Sequence, residues 1–530
     1  MKAKNKIKFF FTIVLTGTMS AFQVQAQTQL SGGAAASNTC SADNGGYNNT
    51  SVGCNSGNAS MTGSNNTIIG DAAGASFTSG YNNTLVGGRA GTSLTSGYYN
   101  VYYGYNAGAL STESFSNNAF GFEALSNNKK ASDNVAVGRA ALFTQDLNTA
   151  FSSYNVAVGN YSLYFNKPTG TSDGMDNTAI GHKVLYSNTT GSTNTATGFE
   201  AGYWNQTGSS NCVFGYHAGF GNGSANSYSN NSFFGYKAGE INTTAWNNVA
   251  IGYQALMSQT WNNSGSAYYP CNVAVGGGAL QNNNPSSTSN GRYNTALGHQ
   301  GLYSNTIGYQ NTALGYQALN YNTTGYFNTS TGYNSLYSNT TSQFNTANGI
   351  CALFSNQTGD ENTAIGGQAL YNNTGSYNTA VGLNAGVTYA NNNNNTFVGY
   401  GADVNANNLS NLTAIGNGAI ASTTYNFMCG NATVNGVFST AGFFATSDGR
   451  FKTNVTEDVK GLEFINKLRP VTYKMNTKAL DDFIIQNMPD SIKTKHQAGM
   501  DFASSMANVH SGFIAQEVEQ AAQQVGYLSS

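Results

Sequence analysis

Asn311-Thr312-Ala313-Leu314-Gly315, followed three residues on by Ala318, is one copy of a phrase that recurs along most of this chain. Asn177-Thr178-Ala179-Ile180-Gly181 and Asn362-Thr363-Ala364-Ile365-Gly366 repeat it closely. The closing glycine returns twenty times between Gly70 and Gly416, usually after 17 residues, once after 16, and after 20 to 24 in five places. A period this short means a stack of near-identical coils rather than one globular core. The expected fold is all-β: a parallel β-solenoid, or β-roll, of about 20 coils.

Alternation along an extended segment puts Thr and the following Ile or Leu on one side, and Ala and Gly on the other. One side is bulky and the other nearly bare. The Ala after the glycine, as at Ala318 and Ala369, reads as a second short extended segment. Runs such as Asn322-Thr323-Thr324-Gly325 supply the turn, because Asn and Gly tolerate left-handed backbone angles. Seventeen residues bury too little to stand alone, so stability is expected from coil-on-coil pairing and from another chain lying against the bare Ala/Gly side. Stacked Asn and Thr are expected to form ladders, each side chain bonding to its copies above and below. Twenty strands at about 4.8 Å would give a rod of roughly 100 Å.

Three of the five long gaps hold Pro168, Pro270 and Pro285. Proline cannot donate to a ladder, so these segments should bulge between coils. Tyr161, Tyr164, Phe165, Trp261, Tyr268 and Tyr269 lie in or near them, either as a contact surface or as local packing.

Composition suits an exported fibre. Charged residues make up 8% of the chain and net charge is −2, which leaves no electrostatic footprint for nucleic acid or an anionic membrane. Hydrophobic content of 39% is too high for a disordered chain. Met1 to Ala26 runs from lysines through the apolar stretch Phe9 to Leu15 to Val24-Gln25-Ala26, the order of a secretory signal peptide; a membrane-lying helix is the alternative. Its apolar run is too short for a permanent anchor, so no integral membrane segment is expected in the mature chain, which is placed outside the cell or on its surface. Cys40 and Cys54 could bridge locally, while Cys212, Cys271, Cys351 and Cys429 read as small apolar fillers.

The Ala-apolar-Gly phrases from about Asn65 to Ala419 resemble the heads of trimeric autotransporter adhesins. That resemblance implies a left-handed parallel β-roll in each of three chains, although the pitch here is longer and no membrane-anchor barrel follows.

Near residue 430 the repeat stops. From Ser447 to Ser530 there are nine Lys and Arg and ten Asp and Glu, 19 of the 44 formal charges in the chain. Val459, Leu462, Ile465 and Leu468 recur at helical spacing before Pro470, and Val518, Ala522 and Val525 make a second apolar stripe. The expected division is a signal peptide (1–26), a cap or linker (27–64), solenoid repeats (65–420), a linker or neck (421–446) and a small α+β C-terminal domain (447–530).

Three motifs stand in that last segment: Ser447-Asp448-Gly449-Arg450-Phe451-Lys452-Thr453-Asn454, then Ile465-Asn466-Lys467-Leu468-Arg469-Pro470-Val471-Thr472-Tyr473, then Gly512-Phe513-Ile514-Ala515-Gln516-Glu517-Val518. In this order they resemble the intramolecular chaperone of endosialidase, the auto-cleaving domain of phage tail spikes and fibres. The resemblance implies a trimeric helper that aligns three chains and then cuts on the N-terminal side of its own serine, between Thr446 and Ser447. Relatives continue into a further pairing region and a long helix, so a chain ending at Ser530 reads as shortened.

A serine hydroxyl needs a base, and a lysine made neutral by burial can serve. Ser447 is the expected nucleophile and Lys452 its base, with Asp448, Arg450 and Gln516 in support. Read alone, Ser447-Asp448-Gly449-Arg450 is a polar turn entering a helix. His182, His217, His299, His496 and His510 are scattered, and the first three fall just after repeat glycines, as exposed ladder positions would. Metal, phosphate-loop and paired-carboxylate signatures are missing from the sequence, so neither cofactor nor metal is expected. The leading expectation is an exported, self-associating homotrimeric fibre or adhesin whose ligand is a glycan or cell surface. A polysaccharide-degrading spike and an ice- or mineral-binding solenoid are the alternatives.

Overall fold

The computed structural model describes residues 46–145, 147–223, 226–260, 268–434, 461–484, 486, 507 and 509–526. Two compact units divide the chain, Met1–Val437 and Phe438–Ser530.

The first unit is a parallel sheet of 22 strands, one three-residue strand per coil, from Thr50–Val52 to Phe427–Cys429. Register keeps the phrase in step: Thr295, Thr312 and Thr329 are partners, as are Leu297, Leu314 and Thr331. The long gaps leave this register intact, since Val135 pairs with Val156 and Val249 with Val273 across two of them. Each insertion is looped out without costing a rung, and Pro168, Pro270 and Pro285 are all buried.

Two expectations need correction. The stretch after the glycine is not a second strand in most coils. It is a series of turns in which Gln317 (φ +53°) and Leu319 (φ +53°) are left-handed. Gln317 N–H donates back to His299 O (2.9 Å) and Leu319 N–H forward to Ser335 O (3.0 Å), so the turn bonds alternately to the preceding and following coils. Holding a leucine there costs about 1 kcal/mol or more, offset by driving its side chain into the core.

The second correction concerns the alanines. Ala313, Ala318 and Leu319 are all 0% exposed, together with Asn311 and Asn322. The small-residue side is therefore the inside of the coil, filled by the chain's own leucine, and no second chain lies against it. The outward side carries Thr312 and Leu314, and Leu314 is 42% exposed. Exactness of stacking comes from the repeat glycine: Gly315 has φ +141°, and a Cβ on it would overlap the carbonyl of Gly332 in the next coil.

The asparagine before each strand forms a buried file. Asn328 Oδ1 accepts from the backbone N–H (3.0 Å) and the side-chain amide (3.2 Å) of Asn345, while its own Nδ2 donates to Ser342 O (2.8 Å). A second buried file runs through the turns, Asn339 Nδ2 donating to Asn322 Oδ1 at 2.7 Å and Asn322 to Asn305 at 2.8 Å. Threonine behaves otherwise in one respect: turn hydroxyls such as Thr323 reach their copy in the next coil through its backbone carbonyl, Thr340 O, at 2.9 Å rather than through its hydroxyl. Most of these amides have no water to turn to, so each satisfied pair protects buried backbone.

Aromatic rings stack along the coils. Tyr164 sits between Phe143 (4.9 Å) and Tyr186 (5.2 Å), and Tyr268 is buried with its hydroxyl on Asn290 O. Local packing thus accounts for Tyr164 and Tyr268, Tyr269 stays half exposed beside Trp246, and Trp261 lies outside the described residues. Cys54 and Cys429 are exposed free thiols, and Cys212, Cys271 and Cys351 are free and partly exposed rather than core fillers; Cys40 lies outside the described residues.

Candidate functional site

The second unit holds the helix Gly461–Ile465, the strand Val471–Lys474, the helix Thr477–Ile484, the strand Val509–Gly512 and the helix Ala515–Gln524. Pro470 stops the first helix and lets the chain extend. The two strands pair antiparallel, Val471 opposite Gly512 and Tyr473 opposite His510, whose rings stack at 5.7 Å.

That pairing brings the second and third C-terminal motifs together. Arg469, just before the first strand, grips Glu517 on the last helix with two bonds, Nη2 to Oε1 at 2.5 Å and Nε to Oε2 at 3.1 Å. The fork matches the carboxylate plane. Its hydrogen bonds hold the Glu517 carboxyl below the usual range and raise Arg469. Lys467 Nζ adds a contact to Gln524 Oε1 at 3.3 Å. The motif residues were legible in the sequence; the ion pair across 48 positions was not, because helical and strand periodicity report only near neighbours.

At one end of the strand pair lies an open groove of about 530 Å³ lined by Pro470, Val471, Thr472, Ser511, Gly512 and Phe513. Ala521 on the last helix and Val525 just past it are buried; of the stripe expected there only Val525 is buried, Val518 and Ala522 being half-buried. Of the earlier stripe, Leu462 and Ile465 are exposed and Leu468 is half-buried, while Val459 lies outside the described residues; Phe483 and Phe513 are exposed as well.

Thr446, Ser447, Asp448, Arg450 and Lys452 lie outside the described residues, as does His496. Gln516 is placed, exposed on the last helix and adjacent to Glu517. In the first unit, His182 stacks on Phe199 and His299 on Tyr316, as members of ring files. His217 lies between two carboxylates, 3.2 Å from Glu200 and 3.4 Å from Glu240, which Lys183 and Lys237 also engage. These acids are already neutralised in pairs, a poor arrangement for a glycosidase, and among the described residues there is no cluster able to hold a metal.

A parallel solenoid followed by a small unit with a short sheet fits a fibre-like protein. Within it, residues 447–527 match the family model described as chaperone of endosialidase. Neither a curated protein nor a solved structure matches the chain.

Proposed function

We propose that this protein is an exported, homotrimeric fibre of adhesin type, and that residues 447–530 align three chains and then cleave themselves off. The observation that carries the reading is the C-terminal family match, whose second and third motifs interlock through Arg469 and Glu517. Leu462, Ile465 and Phe483, left in water by the single chain, offer surface for other chains to cover. Export rests on Met1 to Ala26, and N-terminal sequencing of the secreted protein should begin at Gln27. No described helix is long and apolar enough to cross a membrane. The coil surfaces away from the strand ladder would then meet a glycan or cell surface.

In the cleavage step Ser447 Oγ adds to the Thr446 carbonyl while a neutral Lys452 takes its proton. The amide C–N bond breaks, the proton passes to the Ser447 nitrogen, and water hydrolyses the resulting ester to release the Thr446 carboxylate. Asp448 and Arg450 hold the turn, and Gln516 supports it from the last helix. Denaturing gels of wild type, Ser447→Ala and Lys452→Ala test this. The 84 residues from Ser447 to Ser530 should appear as a fragment only in wild type. Its persistence in either variant removes that residue from its role.

One observation favours a second reading. Threonine occupies the first strand position of eight successive coils from Thr295 to Thr413, a straight file that no insertion interrupts. Such a file could order water on ice or a mineral face, and thermal hysteresis of the purified protein would reveal it.

A further inference from the structure

We infer that the solenoids of neighbouring chains join through the outward face of the strand ladder, the face opposite the alanines, and that the occupant of this face is a second copy of the same chain. The inference rests on the reading of a multichain fibre and names the surface that joins it.

The 22 strands present 44 outward side chains, the first and third of each strand, and none is Asp, Glu, Lys, Arg or His. Eighteen of the 22 third positions are Val, Ile, Leu, Phe or Tyr. Twelve of them are exposed, Tyr103 at 56%, Leu297 at 45% and Ile365 at 42% among them, and the other six are half-buried. With a width of roughly 10 Å and a rung spacing of about 4.8 Å, the strip covers on the order of 1,000 Å², beyond the few hundred usual on a monomer and comparable to one side of a stable interface.

Pitch selects the partner. A file of apolar knobs repeated once per rung is matched along its whole length by a surface with the same rung spacing, and another copy supplies one. The absence of charge removes the repulsion that would keep two such files apart and gives no handle for a charged partner. A glycan is disfavoured by ring geometry. Sugars stack flat on an aromatic face, but on this face Phe214 lies on Phe234 at 5.1 Å and Tyr103 on Phe120 at 6.3 Å. Their faces are occupied by one another, and chiefly edges remain.

Leu314→Lys with Ile365→Lys places two charges on this face at positions the single coil leaves exposed. Tyr321→Lys, exposed at 49% in a turn, is the control. Molar mass by sedimentation, with circular dichroism to check the fold, reads the result on the full chain. Wild type and the control should be multimeric, while the double variant should fall to monomer mass with an unchanged β-spectrum. A photo-crosslinker at position 314 should join copies through the same position or a near neighbour. A double variant that stays fully multimeric, with no crosslink between copies, overturns the inference and leaves the fibre reading standing. A monomeric wild type overturns both. Should the double variant lose its β-spectrum, the crosslink alone decides between the outcomes.

Discussion

The repeat unit and the C-terminal unit solve the problem of a small core in opposite ways. Each coil closes on itself, with Ala313, Ala318 and Leu319 fully buried and two asparagine files satisfying the backbone around them. The C-terminal unit buries little among its described residues, chiefly Asp481, Ala521 and Val525, and leaves Leu462, Phe483 and Val509 exposed. A repeating unit can stabilise itself against its own copies in the same chain, whereas a short unit with few copies of anything must borrow surface from elsewhere. That contrast fits a rod that is stable once formed and a helper that acts in company.

Glycine substitution should expose the contrast most sharply. Gly315→Ala puts a side chain at φ +141° and into the Gly332 carbonyl, and should cost about 3 kcal/mol or more in a denaturant titration. Gly512→Ala, whose Cβ would meet only the Tyr473 ring at 3.7 Å, should stay within about 0.5 kcal/mol. Equal effects would mean that the coils are not in contact through their glycines.

Next in size is the asparagine file. Asn328→Ala removes the acceptor for two donors of Asn345 and a donor to Ser342 O, and should cost about 2 to 3 kcal/mol by the same titration. A near-neutral result would place water in the coil.

Smaller effects separate the units by pH. Burial raises the Asp403 carboxyl, against the opposing bonds from Thr388 and Val404. A raised carboxyl stabilises below its ordinary unfolded value, and that contribution is lost as pH rises through the folded value. Stability of the repeat unit in a denaturant titration should therefore fall across that rise, and Asp403→Asn should abolish the fall. Glu517 has the opposite sign: held low by Arg469, its contribution is present above the ordinary glutamate value and is lost as pH falls through the lowered one. Because the pair is exposed, Arg469→Ala should change overall stability least of all, while returning the Glu517 titration by NMR toward the normal range.

The coil count and strand register were legible because Asn-Thr-Ala-apolar-Gly carries both its period and its alternation. The same alternation misled on the alanines. It separated the two sides correctly, but the leucine that fills the small-residue side points inward only through a left-handed backbone at Leu319, which no propensity signals. The Arg469–Glu517 fork stayed hidden for a different reason, since contacts between distant motifs leave no local pattern. Ser447 and Lys452 were proposed from motif likeness, and their geometry lies outside the described residues.

Whether one chain closes its own coils is tested most directly by a spin-label distance. Nitroxides at Thr295→Cys and Thr396→Cys, in a background with the native cysteines replaced by serine, stand six rungs apart along the ladder. Labelled chains diluted with unlabelled ones should give a narrow distribution centred near about 29 Å, six spacings of about 4.8 Å. A broad distribution, or a distance that disappears on dilution because the rungs alternate between chains, would contradict the account.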